Sequence, residues 1–166
     1  MVQLLTTLFA LCLISLSSAT TLAFFITSDT SNWLEGPSTP SGAFAIVTAT
    51  NGAWTSSITG ASWIWDIASG AGPSGNGKFY KYFFVAGTAA SASLEIAADG
   101  VFTTLLNGSS ISCDDTTGTT YANKKTCTIS TSKFVTGVNL LEVTVVNSGI
   151  GDCGLLYKLT MTVTYS

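Results

Sequence analysis

This sequence predicts an all-β fold, an antiparallel β-sandwich, and three observations lead to it. Apolar and polar residues alternate at a period of two along most of the chain after residue 20, the pattern of strands with one buried and one wet face. Turns rich in Gly, Asn and Asp interrupt that alternation at short intervals, as in a sandwich of many short strands. Helical periodicity is almost absent from the same region. With 166 residues, the chain can bury one core without metals or dense disulfides.

Residues 1–19 read as a signal peptide. Leu4 to Leu16 is an apolar run too short to span a bilayer comfortably. Ser17-Ser18-Ala19 fits a small-x-small cleavage site, which starts the mature chain near Thr20. The amino terminus is the only positive charge ahead of the run, and an uncleaved anchor or a core strand are the competing readings. Residues 20–166 are expected to form a single β-sandwich domain. They contain no second run long and apolar enough to cross a membrane.

"TLAFFITS" from Thr21 and "FAIVTAT" from Phe44 read as strands, and "GAGPSGNG" from Gly70 as a surface loop. "KFYKYFFVAG" places Phe79, Phe83 and Val85 on one face and Tyr80, Tyr82 and Phe84 on the other. With both faces apolar or aromatic, that strand is expected to be central, or covered on its second side by loops. "LEIAADGVFTTLLNG", Leu94 to Gly108, reads as two strands with a bend at Asp99-Gly100 and a two-residue hairpin turn at Asn107-Gly108. Leu94, Ile96, Val101 and Leu105 are assigned to its core side. "TCTIS" is a short strand, and "KFVTGVN" holds one helical turn before a strand from Asn139. In "LLEVTVVN", Leu141, Val143 and Val145 point inward. The final "LLYKLTMTVTYS" is the clearest element, with Leu155, Tyr157, Leu159, Met161, Val163 and Tyr165 on one side.

Composition excludes several functions. The chain has no His, which removes His-based acid–base catalysis, His metal ligands and a Ser-His-Asp triad. All six cations are Lys, so bidentate Arg clamping of phosphate or carboxylate is missing. The net charge of −3 argues against a nucleic-acid partner. Only 9% of residues are charged, against roughly 25% in average domains. Ser, Thr, Asn and Gly carry the surface polarity instead, which suits a secreted, extracellular β-protein.

Cys12 leaves with the leader, so Cys113, Cys127 and Cys153 remain. In an oxidising compartment Cys113 and Cys127 are expected to pair around "DDTTGTTYANKKT", a loop closure that stabilises by roughly 3 kcal/mol. Cys153 is then left over, buried and inert or bonded to another molecule. Pairings of Cys153 with Cys113 or Cys127 stay open.

"ASWIWD" at Ala61–Asp66, "FYKYFFV", "ASLEIAADGVFTTLLNGSSI", "VTGVNLLEVTVVN" and "GLLYKLTMTV" occur in this order. Together they resemble galactose-binding-like domains, jelly-roll β-sandwiches common among secreted carbohydrate-binding modules. The likeness runs from about Thr21 to the C-terminus. Gly100 stands where the family usually has Asn after the Asp. The resemblance implies a jelly-roll sandwich and a non-catalytic role, either glycan binding or an accessory interaction domain.

The candidate ligand-binding residues are Trp33, Trp54, Asp99, Asn107 and Asp152. Sugar rings present apolar faces that stack on exposed aromatics. Trp33 and Trp54, in polar, loop-like contexts, suit such a platform, whereas Trp63 and Trp65 read as core. Asp99, Asn107 and Asp152 would supply hydrogen bonds from turns, although Asp-Gly and Asn-Gly are also good bends without any ligand. Asn107-Gly108-Ser109 is the one glycosylation sequon. Asp66, Asp114, Asp115 and Asp152 lie in or beside loops, where a structural calcium would find oxygens. Their spacing matches no calcium motif, and no pair is set apart for glycoside hydrolysis, so no cofactor and no catalysis are expected. The functional expectation is a secreted, non-catalytic domain that binds glycan or another extracellular polymer. The alternative is a structural subunit of an extracellular filament, sheath, capsid or surface layer, assembled through β-edges or a Cys153 disulfide.

Overall fold

The computed structural model describes residues 19–165, so the signal-peptide reading falls outside the described residues. Fourteen strands follow in chain order. They are β1 (Thr20–Thr27), β2 (Trp33–Gly36), β3 (Thr39–Phe44), β4 (Ile46–Val47), β5 (Ile64–Trp65), β6 (Ala71–Gly72) and β7 (Gly75–Val85). After these come β8 (Thr88–Asp99), β9 (Val101–Leu106), β10 (Ser109–Ser110), β11 (Lys125–Thr128), β12 (Gly137–Asn147), β13 (Gly151–Asp152) and β14 (Gly154–Tyr165). The helical turn expected within Lys133–Asn139 falls earlier, as a 3-10 turn over Thr131–Lys133, and the strand expected from Asn139 begins at Gly137.

Two antiparallel sheets make the sandwich. The first has the order β11-β8-β14-β5-β4, with β1 also paired to β14. The second has the order β10-β9-β12-β7-β2-β3. A small β13–β6 pair closes one end. The long ladders are β14 on β8 and β12 on β7, and their inward residues build one core. Leu94, Ile96, Leu155, Tyr157, Leu159, Met161 and Val163 from the first sheet meet Phe79, Val85, Phe102, Leu106, Leu141, Val143 and Val145 from the second. The period-two alternation of the sequence is thus the packing pattern itself.

Local chemistry sets the turns. Asn107 and Gly108 both take positive φ, 52° and 74°, the geometry of a two-residue hairpin. At the other end of β9, Gly100 takes φ 121° between β8 and β9. Parity around β9 differs from expectation. Leu94 and Ile96 are core, but Val101 and Leu105 face outward, and Phe102, Thr104 and Leu106 are buried in their place. A single residue, Gly100, separates β8 from β9, so the inward set keeps the even positions of Leu94, Ile96 and Ala98 and continues as Phe102, Thr104 and Leu106. "FAIVTAT" is likewise not one strand, because β3 ends at Phe44 and β4 holds only Ile46 and Val47 in the other sheet. "GAGPSGNG" is more ordered than a loop: it contributes β6 and the first residues of β7.

The two sheets differ on their outer faces. Trp54, Ile58 and Trp63 pack on Ala97 and Leu156, the outward residues of β8 and β14. The segment from Asn51 to Trp63 therefore covers the first sheet at that end. On the second sheet, Tyr82, Phe84 and Val138 remain open to solvent.

Candidate functional site

The five candidate residues fall into three places. Trp54, Asp99 and Asp152 meet at the end of the first sheet. Asn107 occupies the β9–β10 turn. Trp33 lies on the outer face of the second sheet.

The end cluster binds itself. Trp54 is buried, which corrects its expected place on an exposed platform. Its ring lies 4.4 Å from that of Trp63, and its indole N–H donates to Asp99 Oδ2 at 3.0 Å. Gly154 makes the stack possible, since a Cβ there would come within 2.7 Å of Trp54. Asn51 donates through Nδ2 to Asp152, and its Oδ1 accepts the Ala53 N–H. Burial raises the Asp99 carboxyl above its ordinary value, against the pull of the Trp54 bond, and the Asp152 charge adds to the rise. Each group here has an internal partner, and together they pin the covering segment to the sheet. Trp63 and Trp65 are both buried, but in different clusters, with Trp63 beside Trp54 and Trp65 beside Phe79.

Asn107 serves the fold. Its Nδ2 donates to Lys133 O at 3.0 Å and to Asn139 Oδ1 at 2.8 Å, and its Oδ1 accepts the Leu140 N–H at 2.9 Å. A glycan on this sequon would replace one of those N–H donors. The disulfide joins Cys113 and Cys127, with Cα atoms 5.8 Å apart. Cys153 is free and fully buried. Its burial, followed by the charges of Asp66, Asp99 and Asp152, pushes the thiol up to about 12. A bond from Cys153 to another molecule would require the sandwich end to open, which corrects the intermolecular expectation. Among the described residues, no three His, Cys, Asp or Glu side chains come together in a set that could hold a metal ion.

Trp33 belongs to a larger arrangement. It stands opposite Tyr80 on β7 and opposite Phe44 on β3. Opposed residues project from the same side of a sheet. Tyr80, Tyr82 and Phe84 follow at alternate positions on that side. Tyr82 in turn faces Leu140, and Phe84 faces Val138. Exposure is 39% for Trp33, 64% for Phe44, 67% for Tyr82 and 64% for Phe84. Five aromatic side chains therefore share one face that no loop covers. Both faces of "KFYKYFFV" are apolar and the strand is central in its sheet, between β12 and β2, as expected, but its second face stays open to solvent rather than covered by a loop.

The face is held in shape. The Trp33 and Phe44 rings meet edge to face at 5.5 Å. Gly42 takes φ 82°, and a Cβ there would approach the Trp33 ring to 2.5 Å, so only glycine lets the indole settle against β3. Tyr80 donates its hydroxyl to Glu35 Oε2 at 3.1 Å. Burial and then that bond raise the phenol above its usual value, which keeps it neutral. Phe44, Tyr80, Tyr82 and Phe84 were not singled out by sequence as site residues. Their signal was the two-faced aromatic pattern of β7.

No protein-family model matches the chain, and no curated protein sequence does. Solved structures do match in fold. A domain of the Streptomyces avermitilis α-L-rhamnosidase, solved in complex with L-rhamnose, aligns with TM-score 0.53 and 18% identity over 81% of this chain. A domain of the FMN-binding β-glucuronidase from Facaelibacterium prausnitzii L2-6 aligns with TM-score 0.52 and 16% identity over 85% of this chain. The aligned parts are 13% and 23% of those chains, so this chain spans under a quarter of either enzyme. A family 35 carbohydrate binding module from Clostridium thermocellum aligns over 82% of this chain and 97% of its own, with 14% identity and TM-score 0.46. The chain thus shares its fold, a jelly-roll β-sandwich, with the aligned parts of the two enzymes.

Proposed function

We propose that the chain is a secreted, non-catalytic domain that binds glycan, and that the aromatic face of β7, β2 and β3 is its binding surface. The exposure of Trp33, Phe44, Tyr82 and Phe84 on one ordered sheet carries this reading. Scattered surface hydrophobes are ordinary, but a contiguous apolar patch marks an interaction site. Aromatic faces suit the apolar faces of sugar rings, and β-strands hold them in place without a folding cost on binding. Secretion is supported by the leader-like residues 1–19 and by the Cys113–Cys127 bond. A binding role without catalysis is supported by the lack of His and Arg, and by the internal partners of Asp99 and Asp152.

The second reading, a subunit of an extracellular assembly, draws on the same face, since two apolar faces can cover each other. A glycan array probed with the wild-type chain and with Tyr82→Ala separates the two. Glycan binding predicts signal on a set of polysaccharides that Tyr82→Ala weakens, from a protein that elutes as a monomer. An array without signal, from a protein that elutes as an oligomer, would replace this reading with the assembly one.

A further inference from the structure

We infer that this face takes a neutral polysaccharide presented as a flat surface of extended chains lying side by side. The inference rests on the glycan-binding reading of the same face. The arrangement of the rings comes first. Phe44, Trp33 and Tyr80 form a row across three neighbouring strands, about 4.8 Å apart per strand. Tyr80, Tyr82 and Phe84 form a second row along β7, about 6.8 Å apart per pair of residues. The two rows meet at Tyr80. A single sugar chain can follow one row, but only a ligand extended in two dimensions covers both.

Charge defines the chemistry. The charged groups in the same rows are Glu35, Lys78 and Glu142; Glu142 stands opposite Tyr80, and Lys78 opposite Glu35. The other lysines are engaged elsewhere. Lys81 turns inward to Asp29 at 2.7 Å, and Lys124 pairs with Glu95 at 2.6 Å. Lys125 donates to Asp114 O, and Lys158 lies over Phe25 on the first sheet. Lys133 sits in the 3-10 turn. A polyuronate would therefore meet two carboxylates and one ammonium, with no Arg to clamp its acids. A neutral polymer meets rings and the Tyr82 hydroxyl. Stacking of this kind is also insensitive to salt, unlike charge pairing.

The test is depletion of the protein from solution by powdered cellulose and chitin, beside polygalacturonate and soluble cello-oligosaccharide. The variants are Phe44→Ala, at the end of one row, and Phe84→Ala, at the end of the other. Both side chains are largely exposed, so the fold is expected to survive, and a circular dichroism melt checks it. The expected result is retention by at least one neutral solid, unchanged in high salt and stronger than for the soluble oligosaccharide. Each variant should weaken it about two- to tenfold, the effect of one aromatic contact. Binding confined to polygalacturonate or to the soluble oligosaccharide would overturn the inference while leaving the glycan reading in place. Loss in only one of the two variants would overturn the two-dimensional surface. Binding to no glycan, with a dimer that Phe84→Ala dissolves, would overturn both readings and assign the face to a second copy of the chain.

Discussion

The indole N–H of Trp54 donates to the carboxylate of Asp99 at 3.0 Å, joining two residues 45 positions apart. One lies in the covering segment and the other ends β8. The bond fixes a loop tryptophan against the sheet, where it stacks on Trp63 and leaves no aromatic surface for a ligand. Trp54→Ala should therefore act on stability and leave glycan binding intact. The expected loss is about 3–5 kcal/mol, the range for truncating a buried large aromatic, read from urea unfolding. Trp54→Phe keeps part of the stack and should lose less.

The same contact makes stability depend on pH in a defined direction. Burial raises the folded-state value of Asp99 above the ordinary 3.8. The folded chain thus favours its protonated form. That contribution is complete below the ordinary value and is lost as pH rises through the raised one. Asp99→Asn removes the titration. Relative to Asp99→Asn, the wild type should gain stability as pH falls from about 7 to about 4. Urea midpoints for both proteins at the two pH values check the sign.

The Cys113–Cys127 bridge closes the segment that carries Asp114, Asp115 and Thr120. Asp115 pairs through the backbone with Phe102 of β9, and the Thr120 hydroxyl accepts the Ala98 N–H at 2.9 Å. One cross-link thereby ties a polar excursion to both sheets. Replacing both cysteines with Ser should lower stability by about 3 kcal/mol, measured by thermal unfolding, with the β-rich circular dichroism spectrum retained.

Gly42 lies against the Trp33 ring of the aromatic face. Its φ of 82° and the closeness of the Trp33 ring both exclude a side chain. Gly42→Ala should lower stability by about 1–2 kcal/mol, the usual strain of a left-handed residue. It should also shift the Trp33 emission and weaken glycan retention. A retained affinity would show that the indole orientation does not matter to binding.

The strands were legible because each long one keeps its period of two. β12 and β14 bury the residues that alternation assigns to them, since their inner faces meet one continuous core. The two faces of β7 were legible too, but what lay against the second was not. That depends on where the loops pass, and the segment after Asn51 covers the other sheet instead. Trp54 misled for the same reason: burial in a loop has no period, and its polar neighbours Thr55 and Ser56 bond to Ala122 O and Thr120 O. Trp33 was chosen from sequence, but its partners were not. Phe44 and Tyr80 come beside it only through strand order, which alternation within one strand does not encode.

Trp33 is the one exposed tryptophan of the four; Trp54, Trp63 and Trp65 are 8%, 9% and 0% exposed. Acrylamide quenching of tryptophan emission, with and without bound polysaccharide, therefore reads the aromatic face directly. The binding account predicts a quenchable fraction that the polysaccharide shields and that Trp33→Phe removes. Polysaccharide bound while that fraction stays fully quenchable would place the ligand elsewhere and contradict the account.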